Sequence, residues 1–160
     1  MFDFFKKKEP ILNSPVIGKC IPLEKVPDQV FADKMMGEGV AFEPTSNQIF
    51  APCDAKISMI ASTKHAIGLV NADGVEILIH IGLDTVNYGG KGFKLHVKKS
   101  QKIKRGDVLI TFDKDFFESE HVSLVTPMIV TNHSLFDLEY LLVNEEVKTN
   151  DVVIRYKKTS

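Results

Sequence analysis

The sequence is poor in the signals that mark a membrane span, a nucleic-acid binder or a disulfide scaffold. No apolar run in its 160 residues approaches the length of a transmembrane helix. Charged residues make up 26%, but the net charge is −1, so the basic excess of a general nucleic-acid binder is missing. The two cysteines, Cys20 and Cys53, fit no metal-ligand spacing and no CxxC pattern. Free thiols in a reducing cytoplasm are the simplest reading. The first ten residues, MFDFFKKKEP, put their aromatics before their lysines and lack an apolar core, so they do not read as a secretory signal. Helical periodicity is scarce as well.

What is present is β-rich. The length and the 44% hydrophobic content suffice for one domain with a real core. Short Val- and Ile-rich runs recur between turn signals: VIGKCIPL, NQIFAP, AKISMIA, IGLV, VEILIHI, DVLITF, MIVT and DVVIRY. This spacing predicts an all-β antiparallel sandwich or barrel. One or two short helices are expected beside it: PDQVFADK starting on Asp28, and SLFDLEYLL with Ser134 as its N-cap.

Two motifs occur twice. SPVIGKCIPL (14–23) aligns with APCDAKISMI (51–60), and KIKRGDVLITF (102–112) aligns with EVKTNDVVIRY (146–156). In the second pair a residue able to take positive φ, Gly106 or Asn150, precedes Asp-Val and a strand. A duplicated β unit is the expectation.

The stretch TKHAIGLVNADGVEILIHIGLD (63–84) carries two histidines. Strict alternation from Val75 to Leu83 puts 75, 77, 79, 81 and 83 on one apolar face and His80 on the other. If NADG is a four-residue hairpin loop, Val70 pairs with Val75. His65 then stands opposite His80, Ile67 opposite Leu78, and Thr63 opposite Gly82. Three readings of such a pair stay open on pattern alone. Imidazoles bind zinc, but only Asp84 offers itself as a third ligand. A neutral imidazole is also a nucleophile suited to phosphoryl relay, with a second imidazole N–H to steady the anionic group and a Thr hydroxyl to fix its tautomer. The third reading is two half-buried histidines satisfied by backbone.

The phrases GVEILIHIGLDTV, APCDAKI, TKHA, VPDQVFADKMMGEGVA, GFKLHV and IKRGDVLITFD together resemble the glucose-type enzyme IIA of the phosphoenolpyruvate-dependent sugar phosphotransferase system. The resemblance runs from about Pro15 to Lys157. It implies the duplicated hybrid motif fold in a single domain, 15–158, behind a flexible segment, 1–14. It implies that His80 takes a phosphoryl group on Nε2 from the carrier protein HPr. The group then passes to a cysteine of an enzyme IIB domain, so the protein would be a phosphotransferase component with a phosphohistidine intermediate. His65 would support the phosphoryl group, Thr63 would hydrogen-bond His65, and Asp84 would belong to the same site. A shallow apolar docking surface is implied at Val30, Phe31, Met36, Leu78 and Val86, to which the hairpin register adds Ile67.

No cofactor and no intrinsic metal are implied; zinc would enter only when His65 and His80 share it with a partner's carboxylate. A cytoplasmic monomer that meets the membrane through its permease is the further expectation. Two departures from the family pattern, Ala55 and Asn150 in place of Gly, lie in turns. A regulator that binds permeases or kinases without relaying phosphate is the competing function. A zinc peptidase of the same fold fails, because HIGLD lacks the later His-x-His such enzymes need. The basic run KLHVKKSQKIKRG (94–106) reads as a solvated loop face, and His96, His121 and His133 as surface residues. MFDFFKKK reads as a floppy tail or, less simply, as an amphipathic anchor.

Overall fold

The computed structural model describes residues 9–160, so the tail-or-anchor question at MFDFFKKK lies outside the described residues. In chain order the elements are β1 (Ile11–Asn13), β2 (Gly18–Pro22), α1 (Gln29–Ala32), β3 (Glu38–Pro44), β4 (Gln48–Phe50), β5 (Ala55–Ile60), β6 (Ala66–Val70), β7 (Glu76–His80), β8 (Phe93–Leu95), β9 (Lys102–Ile103), β10 (Val108–Phe112), α2 (Lys114–Ser119), β11 (Thr126–Val130), β12 (Phe136–Tyr140), β13 (Glu146–Val147) and β14 (Val152–Lys158). All eight runs expected to be strands are strands. They build an eight-stranded sheet in the order β13-β2-β3-β11-β7-β6-β5-β9 and two three-stranded sheets, β1-β14-β12 and β4-β10-β8. All pairings are antiparallel and no sheet closes into a barrel.

The duplication is visible bond by bond. Adding 37 to positions in the first motif and subtracting 44 from those in the last maps one half onto the other. Leu12 pairs with Ile154 and Ile49 with Ile110, each beside a bulge at the same place. Val147 pairs with Gly18 as Ile103 does with Ala55. Ser14 N–H donates to the Asp151 carbonyl and Ala51 N–H to that of Asp107. The proline turns bind reciprocally: Asn13 N–H donates to Pro52 O (2.9 Å) and Phe50 N–H to Pro15 O (2.8 Å). In the matching turns the Asp107 and Asp151 carboxylates each accept from the backbone N–H three residues earlier, both at 2.8 Å. The motifs therefore repeat because one hydrogen-bonded unit is built twice. One detail differs: Gly106 takes φ +88, whereas Asn150 is not among the positive-φ residues, although Asp107 N–H and Asp151 N–H close the two turns alike on the carbonyls of Lys104 and Lys148, both at 3.0 Å.

Four expectations need correction. The domain does not begin at residue 15: Ile11–Asn13 is a buried strand paired with β14, so the segment assigned to a flexible tail is core from Ile11 onward. The expected helix over SLFDLEYLL is a single 3-10 turn, His133–Leu135, followed by β12. Phe136, Leu138 and Tyr140 alternate with Asp137 and Glu139, and those acids face Lys157 and Arg155 across the ladder. That pairing outweighs any helical preference, and Arg155 Nη1 lies 2.9 Å from Glu139 Oε1. The helix α2, capped by the Asp113 side chain on Phe116 N–H, had no counterpart among the expected elements. The fourth correction concerns the β6–β7 register and the placing of Ile67. It is taken up with the site.

The two faces of the large sheet bury different clusters. Val40, Phe42, Ile67, Leu69, Ile77, Ile79 and Met128 enter the main core between the sheets. Leu78, Ala66, Ile129, Ala41 and Ile21 point the other way, under Leu23, Val26 and Phe31. α1 owes its start to Asp28, which accepts from Val30 N–H at 3.0 Å. It seats Phe31 as the lid of this second cluster.

Candidate phosphoryl-transfer site

β6 and β7 bring the histidines to one end of the large sheet, though not in the register that the sequence suggests. The ladder pairs Val70 with Glu76, Gly68 with Leu78, Ile67 with Ile79 and Ala66 with His80, a slip of one residue. The loop causes it. Asn71 folds over the turn, its Oδ1 accepting from the N–H groups of Asp73 and Val75, so Val75 belongs to the loop rather than the strand. Direct opposition of His65 and His80 is therefore overturned. So is Ile67 as a docking residue: it pairs with Ile79 and is fully buried in the main core.

The rings meet by another route. Lys64 takes a left-handed φ of +62 and turns the chain, so His65 sits just outside the ladder and escapes its alternation. Its carbonyl still accepts from Ile81 N–H at 2.6 Å, which ties the turn to the end of β7. The imidazole centroids lie 4.8 Å apart at 77°, edge to face. Both residues are half-buried.

Hydrogen bonds settle which nitrogen of His80 is free. His80 Nδ1 lies 2.8 Å from the Gly82 carbonyl. A carbonyl only accepts, so Nδ1 carries the proton and the lone pair is on Nε2. The turn beneath is held from both sides. Thr85, fully buried, donates its hydroxyl to Ile81 O at 2.6 Å, and Leu83 N–H donates to Ser123 O. Gly82 itself takes φ +78, where a Cβ would come within 2.6 Å of Thr85 Cγ2. His65 Nδ1 shares a 2.6 Å hydrogen bond with the Thr63 hydroxyl.

Burial holds the pKa of both histidines below the ordinary imidazole value. For His65 the neighbouring His80 adds to the effect. For His80 the Gly82 carbonyl and the Asp28 carboxylate pull upward without offsetting burial. Both rings are thus neutral at physiological pH, the form in which imidazole is nucleophilic.

The remaining sites of interest divide by exposure. Phe31 is buried with its ring 5.0 Å from that of His80, and Leu78 is buried two residues before it. Val30, Met36 and Val86 are exposed apolar side chains. Asp84 is exposed, adopts a left-handed φ of +63 and makes no side-chain cap bond; what it contributes here is the backbone turn into the 3-10 segment Thr85–Tyr88. Sequence reasoning missed Gly82 as the His80 acceptor, Asp28 as a carboxylate acting on His80, and Met35, which is 71% exposed. The first has a legible signal in hindsight, a Gly two residues after the histidine. Cys20 and Cys53 are free, and burial pushes their thiols up to about 12 and about 11. Among the described residues no group of three His, Cys, Asp or Glu gathers as metal ligands.

A half-buried imidazole with one nitrogen tied to backbone and a second imidazole beside it is the equipment of a group carrier. The family described as "phosphoenolpyruvate-dependent sugar phosphotransferase system, EIIA 1" matches residues 11–136. The chain belongs to this family. Among solved structures, the glucose permease IIA of Mycoplasma capricolum is 41% identical, with a TM-score of 0.84 over 94% of this chain and 97% of that one. Helicobacter pylori Csd3 overlaps 95% of this chain and 36% of its own length, at 10% identity and a TM-score of 0.41, too remote to bear on function. As an EIIA domain the protein is a phosphotransferase component of a sugar phosphotransferase system. No helix among the described residues is long and apolar enough to cross a membrane.

Proposed function

We propose that this EIIA carries the phosphoryl group as a phosphohistidine on His80 Nε2, taking it from HPr and giving it to a cysteine of an enzyme IIB domain in the cytoplasm. The observation that supports this reading best is the bond from His80 Nδ1–H to Gly82 O, with His65 edge-on at 4.8 Å. The Nε2 lone pair attacks phosphorus as the N–P bond of the donor phosphohistidine breaks, and the donor imidazole leaves with that electron pair. The proton on Nδ1 stays, held by the carbonyl, so the phosphorylated ring is stabilised without a proton transfer. When Thr63 donates to His65 Nδ1, the proton of His65 is on Nε2, where it can donate to a phosphoryl oxygen. Catalysis of such transfer is chiefly positioning and electrostatics. In the second half-reaction a IIB thiolate attacks phosphorus and His80 departs neutral.

The exposed Val30, Met36 and Val86, together with the buried Phe31 and Leu78 near His80, suit brief docking by successive partners, since an apolar centre serves transient interfaces. Asp84 has the role of shaping the turn. The histidine pair holds two of the ligands zinc needs, so zinc would bind only with a partner's carboxylate completing the set.

Incubation with phosphoenolpyruvate, enzyme I and HPr tests the relay. His80 should gain an acid-labile, base-stable phosphate, and His80→Gln should abolish it. His65→Gln should still accept phosphate but pass it on roughly 100-fold more slowly. Phosphate that never reaches His80 would leave a purely regulatory protein.

A further inference from the structure

Part of the basic run that reads in the sequence as a solvated loop is hydrogen-bonded as an edge of the large sheet. Between Lys91 and Gly106 there are seven cationic side chains and no acid, so in a chain of net charge −1 all other residues together carry −8. The part from Lys98 to Ile103 is bonded along the outside of β5. Ile57 N–H donates to Gln101 O, Ser100 N–H donates to Ile57 O, and Lys102 pairs with Lys56. Lys56, Lys98, Lys99, Lys102, Lys104 and Arg105 are exposed along this strip. None of the five lysines among them forms an ion pair with a described residue. Two nearby acids each accept a backbone bond from the strip, Asp54 from Arg105 N–H and Asp107 from Lys104 N–H.

Lysines on an exposed edge commonly serve to prevent strand-to-strand association. The duplication supplies an internal control for that explanation. In the other half the same backbone recurs: Cys20 N–H donates to Glu145 O, Asn144 N–H donates to Cys20 O, and Glu146 pairs with Lys19. Ser100 and Asn144 even share a left-handed φ, +73 and +68. Yet that edge carries Leu142, Val143, Glu145, Glu146, Lys148 and Thr149 where this one carries Lys98, Lys99, Gln101, Lys102, Lys104 and Arg105. The fold is thus content with mixed charge at this element, and edge protection does not explain a single sign.

We propose that the β5–β9 edge lies against the anionic face of a lipid bilayer. The strip is almost all lysine, so it offers diffuse point charges rather than the bidentate forks that read phosphates individually. Of the exposed large apolar side chains only Met59 is on these strands, which leaves no apolar centre for a protein partner. No exposed aromatic is interleaved for stacking on nucleic-acid bases. A row of long cationic side chains along an exposed edge suits an anionic surface, to which each contributes additively within a Debye length. β9 is three strand spacings from β7, about 14 Å, so the histidines stay uncovered while the edge rests on lipid. The use of such contact, keeping the carrier beside a membrane permease, rests on the phosphoryl-relay reading; the contact itself does not.

Co-sedimentation of the full chain with vesicles of phosphatidylcholine containing roughly one-third phosphatidylglycerol, at ~0.1 M salt and without any phosphoryl donor, tests the binding directly. Binding to these vesicles and not to pure phosphatidylcholine is expected, with loss at ~0.5 M salt. The combined variant Lys98→Gln, Lys99→Gln, Lys102→Glu, Lys104→Gln should bind at least tenfold more weakly. It should keep its melting temperature and its phosphorylation at His80. Lys6→Gln, Lys7→Gln, Lys8→Gln should leave at least half of the binding in place. Equal binding to neutral vesicles, or loss in the second variant with retention in the first, would overturn the proposal. So would duplex DNA held by the edge more tightly than the anionic vesicles at the same salt. Failure of phosphorylation with vesicle binding intact would sink the relay reading and leave this one standing.

Discussion

His80 combines a half-buried imidazole with a fixed tautomer, and each property has a measurable sign. Because burial lowers its pKa, His80 is still mostly neutral at about pH 6.5, where a free imidazole is half protonated. The rate of phosphoryl acceptance should therefore fall to half only below pH 6.5. A rate that halves at or above pH 6.5 contradicts this. The same shift bears on stability. With both histidines depressed in the fold, the unfolded chain binds protons first, so stability is full above about pH 6.5 and declines as pH drops towards the folded pKa values. Denaturant midpoints taken from pH 8 to 5 report it. Gly82→Ala should cost about 2 kcal/mol, because an L-residue at φ +78 is strained and its Cβ meets Thr85. In any folded remnant the carbonyl shifts away from Nδ1, and the ¹⁵N resonances of His80 should show mixed tautomers where the parent protein shows one.

At the scale of elements, what was legible in the sequence depended on whether a signal is carried by neighbouring residues. The strands were legible because β-branched runs between turns are local, and the two motifs disclosed a repeat whose hydrogen bonds are now seen to match. The β6–β7 register was not legible, because it turned on one Asn71 side chain gathering two N–H groups and drawing Val75 into the loop. β12 was misread because its decisive partners, Lys157 and Arg155, lie far along the chain. The histidine pair was found from alternation, which placed His80 correctly and His65 for the wrong reason; the bend at Lys64 supplied what the ladder did not. The helix α1 links element to site. Asp28→Ala should remove about 1 kcal/mol with the lost cap and should lower the His80 pKa further, since the carboxylate acts to raise it. An NMR titration in which His80 moves upward would contradict that assignment. Asp107→Ala and Asp151→Ala close equivalent turns with equal bonds, so each should cost about 1 kcal/mol and the double variant about the sum.

For the molecule as a whole, phosphorylation replaces a neutral centre by one bearing about −1.5 to −2 charges, set beside exposed Val30 and its apolar neighbours. Partner affinity should therefore differ between the two states, more strongly at low salt. Calorimetric titration of both forms with a IIB domain would read this, and equal constants would contradict it.

The β1–β14 ladder has one more outcome, in how the molecule comes into being. Ile11 is bonded opposite Arg155, so a core residue made before nearly all of the sheets has its place beside one made after them. Until β14 emerges, Ile11 and Leu12 are greasy residues without a shelter, and they need to wait while β2 to β11 assemble. In a pulse of deuterium during refolding, the amides of β6 and β7 should gain protection before those of β1 and β14, and the reverse order would refute this sequence of events.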